Sequence, residues 1–318
     1  MENFIKKKNL KILYFGTPDI SATVLELLIK NNYNIIGVVA QMDKEKDRKG
    51  RILEVPTKVI AKKYNIPVYQ KEKIRLDFEF IKELKPDIIL TMAYGQLIPH
   101  DLLMIPKYGC YNLHGSLLPQ YRGAAPIQFA LLNGDKITGV TLMEMVDKMD
   151  AGKMYYKKEI QVLDDDNYTS LKKKIAMSCF EVFDEGIEDV VNKINVGEEQ
   201  DESKVTFTSK IDRDLEKLNF NDDSSRINNI IRALSYEPGT YFSYKNIKFK
   251  VFKALAFTNL KIAEPGTIIK YDKQGFCIAT QDGYIEILEL QKPGKNIMSF
   301  KDFYNGMQHF FTVGEHVE

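Results

Sequence analysis

The chain of 318 residues contains no tryptophan and only three cysteines. Cys110, Cys179 and Cys277 lie far apart and make no CxxC or zinc-type spacing. An odd, scattered set excludes a disulfide framework and leads us to expect buried free thiols in a reducing compartment. An excess of either charge is also missing, with 45 basic residues set against 44 acidic ones. No global field therefore attracts a polyanion, and any site for one must be a local patch. No apolar run approaches the length of a membrane span. Lys6, Lys7 and Lys8 precede only a short apolar run, which is not the pattern of a secretion signal. These absences predict a cytoplasmic protein with no membrane partner. There is no internal repeat, and neither a metal-ligand cluster nor a phosphate loop is visible. The turn at Gly16 has one glycine instead of GxGxxG, so a dinucleotide site is unsupported.

What is present begins with length, which favours two domains and is ample for a real core. The first half alternates short apolar runs with helical patterns. Ile12–Phe15, Ile35–Val39 and Asp87–Thr91 read as strands, and the helical stretches between them complete βαβ units of a mostly parallel, Rossmann-like sheet. Further strands are expected at 139–145 and 154–162, then a long helix over about 170–194. Residues 197–203 are polar and acidic, the best candidate for a linker. Beyond a short helix opening at Ser224 or Ser225, strand-like runs near 247–252, 266–271, 275–280 and 284–290 are separated by turn residues. Such spacing predicts a small β-barrel.

The most informative stretch is 110–126. In Tyr111-Asn112-Leu113-His114 apolar and polar residues alternate as in a half-buried strand, so Asn112 and His114 share a face. Gly115 ends the strand. Polar groups at a strand's carboxyl end are where open α/β sheets place their chemistry. An amide and an imidazole pointing together can donate hydrogen bonds to a carbonyl oxygen that becomes negative. A third group is needed to orient the imidazole or move a proton. Asp147 and Asp150 both follow the 139–145 strand, and spacing alone prefers neither. Arg122 reads either as a pocket-side charge or as an ion pair bracing the turn.

Asn112-Leu113-His114-Gly115-Ser116-Leu117-Leu118-Pro119, followed by Arg122-Gly123-Ala124-Ala125-Pro126, resembles the signature of the 10-formyltetrahydrofolate-dependent formyltransferases. Phe15-Gly16-Thr17-Pro18-Asp19, Ala93-Tyr94-Gly95-Gln96-Leu97-Ile98-Pro99, Thr138-Gly139-Val140-Thr141, Met149-Asp150-Ala151-Gly152 and Leu290-Gln291-Lys292-Pro293-Gly294-Lys295 resemble further family segments in order. The similarity runs nearly end to end and is greatest to members that formylate methionyl initiator tRNA. It implies a catalytic set of Asn112, His114 and Asp150, with Asp150 rather than Asp147 pairing with His114. It further implies a folate-binding turn of Ser116, Leu117, Leu118 and Pro119, with 10-formyltetrahydrofolate as the formyl-donor co-substrate and no metal. The expected fold is the α/β formyltransferase fold over 1–196, a linker at 197–208, and an OB-like tRNA-binding barrel over 209–318. Leu117 and Leu118 equally suit simple core packing.

Two basic stretches bear on the acceptor. Residues 41–63 hold eight basic residues against four acidic ones, a pattern that is ordinarily a solvated face. The resemblance implies a loop that enters the tRNA acceptor stem, with Arg48 as its key arginine. The Met42–Gly50 segment departs from the Pro- and Gly-containing loop common in the family. In Ile247–Lys253, Lys248 and Lys250 share one strand face. That face suits either an RNA-tracking surface or an edge strand guarded by lysines. Lys210 and Arg213 are further candidate phosphate contacts. DNA is not an expected partner. The rival readings are a formyltransferase acting on a nucleotide-linked amino sugar and a non-catalytic folate- or RNA-binding module.

Overall fold

A computed structural model describes residues 4–44, 50–259 and 262–318. The chain packs as two compact units. Met1–Ala124, Ile137–Gln161 and Lys172–Thr208 form the first, while Ala125–Lys136, Val162–Leu171 and Ser209–Glu318 form the second.

The first unit is built on β1 (Ile12–Gly16), α1 (Asp19–Lys30), β2 (Ile35–Ala40), α2 (Pro56–Lys63), β3 (Val68–Gln70), α3 (Phe80–Leu84), β4 (Ile88–Met92), α4 (His100–Leu103) and β5 (Cys110–His114). β6 (Arg122–Gly123) precedes α5 (Pro126–Leu132) of the second unit, after which β7 (Ile137–Glu144) and β8 (Met154–Gln161) complete the sheet. Seven strands run in the order β3-β2-β1-β4-β5-β7-β8. β3, β2, β1, β4 and β5 pair in parallel, as the βαβ alternation predicts. β7 and β8 are joined antiparallel at one edge. The near-continuous apolar sequences of β1 and β4 are buried throughout, which a sheet covered on both faces requires. Strand order reverses between β1 and β4, the place where such sheets open a crevice.

α6 (Tyr168–Val191) follows, and then the acidic 197–208 stretch packs into the first unit. Glu198 exchanges both backbone hydrogen bonds with Met154 at 2.8 Å. β9 (Phe207–Thr208) pairs in parallel with β6. Gly123 makes that pairing possible. Its φ is +120°, and a Cβ there would stand 2.3 Å from the Thr208 carbonyl oxygen. Gly123→Ala should therefore destabilise the protein by about 1–3 kcal/mol from backbone strain alone, measurable by urea unfolding. An unchanged midpoint would show that the β6–β9 contact can relax without cost.

The second unit contains α7 (Ser224–Leu234), β10 (Thr240–Tyr244), β11 (Ile247–Thr258), β12 (Ile268–Asp272), β13 (Gly275–Ala279), β14 (Gly283–Gln291), β15 (Met298–Ser299) and α8 (Phe300–Gly306). Its strands form an antiparallel sheet, β10-β11-β14-β13-β12, with β15 added to β14. The two ends of this path are bridged by the tail. Ile268 and Gly266 bond to residues 314–317 on one side, and Ser243 exchanges two backbone hydrogen bonds with Glu318 on the other. The strand-rich region is thus barrel-like, with the tail standing between β12 and β10. The missing tryptophan has a counterpart in its core, where phenylalanine and tyrosine rings supply the bulk. Phe242 stacks on Phe249 with centroids 5.6 Å apart, and Phe276 lies 4.6 Å from Phe311.

Candidate active site

Asn112 and His114 project from the same face of β5, as the period of two predicts. Thr91 on β4 is the register partner of Asn112, and its hydroxyl donates to Asn112 Oδ1 at 2.9 Å. With its oxygen engaged, the Asn112 amide presents its N–H groups as donors. His114 is only 5% exposed. Its Nε2 lies 2.8 Å from the Tyr121 carbonyl oxygen, an acceptor that places a proton on this nitrogen. Nδ1 then faces Asp150 Oδ2 at 3.7 Å.

Asp150 arrives by a route that strand-end reasoning does not give. β7 is antiparallel to β5, and its carboxyl end at Glu144 lies beside Tyr111, at the start of β5. The 145–153 loop doubles back from there and brings Asp150 to His114. The turn at Asp150 is left-handed, φ +49°, and Oδ2 accepts the Gly123 N–H at 2.8 Å. Asp147 is elsewhere, exposed and paired with His100 at 3.2 Å.

The Ser116–Pro119 turn is tied to the sheet by Thr141 of β7. The Thr141 hydroxyl donates to the Ser116 carbonyl at 2.8 Å and accepts the Leu118 N–H at 3.1 Å. Ser116 is buried, with its hydroxyl donating to the Gln120 carbonyl at 2.6 Å. Leu118 packs inward against Met143 and Met154. Leu117 lies over Gly139, where a Cβ would come within 2.4 Å of the leucine side chain. The inward packing of Leu118 and the engagement of Ser116 leave backbone groups, Leu117 and Pro119 as the turn's available surface.

Arg122 is fully buried and pairs with Glu202 at 2.8 Å, the bracing arrangement. The Arg122 hydrogen bond, seconded by Lys148, holds the Glu202 carboxyl below the usual carboxylate range. The three cysteines are free and buried, and burial pushes their thiols up, that of Cys277 to about 11. Among the described residues no group of three or more His, Cys, Asp or Glu is placed to hold a metal. None of their helices is long and apolar enough to cross a membrane.

Of the basic residues in 41–63, Arg48 lies outside the described residues. Lys58 pairs with Asp43 and Glu54, Lys62 with Glu54, and Lys63 with Glu26. Their contribution to a positive surface is thus locally offset. On the second unit Lys210 is exposed, as is Lys248, whose ammonium sits 4.3 Å above the Tyr241 ring. Lys250 donates to the Pro238 carbonyl at 2.7 Å. It lies on a stretch of β11 paired on both sides, with Tyr241 and with Gln291, so it does not guard an open edge.

Thr91 and the Tyr121 carbonyl were not visible as site groups in the sequence. Only the β4–β5 register and the path of the turn after Gly115 bring them to Asn112 and His114.

An amide with free N–H groups, a buried imidazole and a carboxylate beside it stand together on one α/β sheet. A family model for formyl transferase matches residues 8–185, and a model for the formyl transferase C-terminal domain matches residues 210–308. The chain belongs to the formyl transferase family. It is 40% identical to the methionyl-tRNA formyltransferase of Lactobacillus johnsonii over 96% of this chain and 98% of the relative. It is likewise 40% identical to that of Malacoplasma penetrans, over 94% of each. Among solved structures, an N-formyltransferase from Helicobacter canadensis in complex with folinic acid and dTDP-3-aminofucose superposes with a TM-score of 0.65 at 23% identity, covering 89% of this chain and 99% of that one. At that identity the likeness concerns the fold.

Proposed function

We propose that the chain transfers a formyl group from 10-formyltetrahydrofolate to the α-amine of methionine esterified to initiator tRNA, in the cytoplasm. The observation that carries this reading is the convergence of Asn112, His114 and Asp150 in a chain 40% identical, nearly end to end, to methionyl-tRNA formyltransferases. The amine attacks the formyl carbon, the C=O electrons move onto oxygen, and the tetrahedral intermediate holds an oxyanion beside an ammonium. Asn112 Nδ2 donates to that oxygen, and the His114 imidazole, its Nε2 held by the Tyr121 carbonyl, turns Nδ1 toward the Asp150 carboxylate beside it. Asp150 stands within the site to accept the ammonium proton, directly or through water. Collapse returns the electron pair to the carbonyl and breaks the bond to the donor nitrogen, which takes up the proton removed from the amine and leaves as the neutral N–H of tetrahydrofolate. Preorganised donors suit this chemistry because charge appears on oxygen only during reaction.

In this reading residues 1–196 carry catalysis, 197–208 join the two functional parts, and 209–318 bind tRNA. The Ser116–Pro119 turn borders the folate. Arg48, Lys210, Lys248 and Lys250 contact RNA phosphates. The test combines chemistry with salt dependence. Methionine released from initiator tRNA after incubation with the donor should carry a formyl group by mass spectrometry. tRNA affinity should fall steeply with salt, and joint replacement of Lys210, Lys248 and Lys250 by alanine should lower the logarithmic slope by about 3, roughly one unit per lost phosphate contact. A slope unchanged by the triple substitution would remove those lysines from the interface, and an absence of formylmethionine would reject the reaction.

A further inference from the structure

The turn that carries Asp150 is held by a side chain distant in sequence. Gln200 is 8% exposed, and each of its polar atoms is used. Nε2 donates to the Asp150 carbonyl at 2.8 Å and to the Gly152 carbonyl at 2.8 Å, so both N–H bonds grip the two flanks of one tight turn. Oε1 accepts from Arg122 Nε at 2.9 Å. That contact fixes the orientation of the amide, because a flipped amide would set its NH2 against a guanidinium. Arg122 is in turn held by Glu202, two residues beyond Gln200. The next residue after Arg122 is Gly123, whose N–H binds Asp150 Oδ2. Gln200 therefore grips both the backbone of the Asp150 turn and the strand whose amide holds the Asp150 carboxylate.

We infer that Gln200 is a positioning residue for formyl transfer, setting the Asp150 carboxylate against His114 through the Asp150 and Gly152 carbonyls and through Arg122. The left-handed backbone at Asp150 needs such support. A non-glycine residue at φ +49° is strained, and two donors closing on carbonyls of the turn are suited to hold it there. Gln200, within the segment that joins the two functional parts, thereby acts on the geometry of the site. The inference rests on the proposed reaction and extends it to a residue that touches neither substrate.

Two variants separate positioning from folding. Gln200→Glu keeps an oxygen acceptor for Arg122 and removes both N–H donors. Gln200→Met keeps the length and removes all three hydrogen bonds. We expect kcat for formyl transfer to fall about 10–10²-fold in both, the scale of a small misplacement of a reacting group. KM for donor and acceptor should stay within about twofold. The Gly123 amide should exchange faster with solvent, since its acceptor is no longer fixed. In an Asp150→Asn background the same substitutions should change kcat by less than about threefold, because residues acting as one unit are not additive. An equal loss in both backgrounds would assign Gln200 to general stability, and a folded Gln200→Glu protein with wild-type kcat would overturn the inference alone. A wild-type chain unable to formylate methionyl-tRNA would instead reject the proposed reaction, and the inference with it. Where Gln200→Met fails to fold, Gln200→Glu decides the question.

Discussion

Asn112→Ala should lower kcat for formyl transfer about 10²–10³-fold, equivalent to about 2.7–4 kcal/mol of barrier, the cost of losing one preorganised donor to an oxyanion. The effect should be large because this amide has one free function. Its oxygen is taken by the Thr91 hydroxyl at 2.9 Å, leaving the N–H groups to donate. Water entering the vacated space would donate less well, since it must reorganise as charge appears on oxygen. The fold should tolerate the change. Thr91 retains the Tyr111 carbonyl at 3.1 Å as an acceptor, and Asn112 is only partly buried. Rapid-quench measurement of formyl transfer, with circular dichroism as the control, separates these effects. Near-normal turnover in a folded variant would remove Asn112 from the mechanism.

Asp150→Asn should lower kcat by about 10²–10⁴-fold, the range ordinarily contributed by general acid–base catalysis. Asparagine keeps an oxygen that can accept the Gly123 N–H, so the turn retains its anchor. What disappears is the negative charge facing His114 Nδ1 across 3.7 Å and the carboxylate available to the ammonium proton. The paired geometry adds a sharper expectation. His114→Ala combined with Asp150→Asn should be little slower than the worse single variant, because the two act as a unit. Fully multiplicative losses would mean that Asp150 works independently of the imidazole. A single variant Asp147→Asn should leave turnover near wild type, since that carboxylate faces His100 at the surface.

The strand pattern was readable because apolar runs and period-two alternation report directly on burial. β1, β2, β4, β5, β7 and β8 fall within a few residues of the expected positions. The shared face of Asn112 and His114 follows from the same alternation. β10 has no counterpart among the strands expected from the sequence, although its burial alternates residue by residue, because the five-residue run directly follows the turn residues of the Tyr236–Gly239 segment. The choice between Asp147 and Asp150 was not decidable from spacing. It depends on a loop that reverses direction after an antiparallel strand, and family resemblance supplied the choice. Thr91 and Gln200 act across strands or at a separation of 50 residues, where no local signal exists. Arg122 shows the opposite case. A buried arginine beside a glycine turn needs an acidic partner, and the acidic 197–203 stretch, read as a linker candidate, contains that partner in Glu202. In the 41–63 segment the acidic residues Asp43 and Glu54, already in the count of eight basic against four acidic, pair with Lys58 and Lys62, and Lys63 pairs with Glu26 from outside the segment.

The most direct measurement is single-turnover transfer of a ¹³C-labelled formyl group from 10-formyltetrahydrofolate, offered methionyl initiator tRNA and a nucleotide-linked amino sugar in the same mixture. The label should appear on the methionine amine, with little on the sugar, and that transfer should fall at least about 10²-fold when Asn112 becomes alanine. Label accumulating on the sugar nucleotide, or transfer to methionine unaffected by the substitution, would contradict the account.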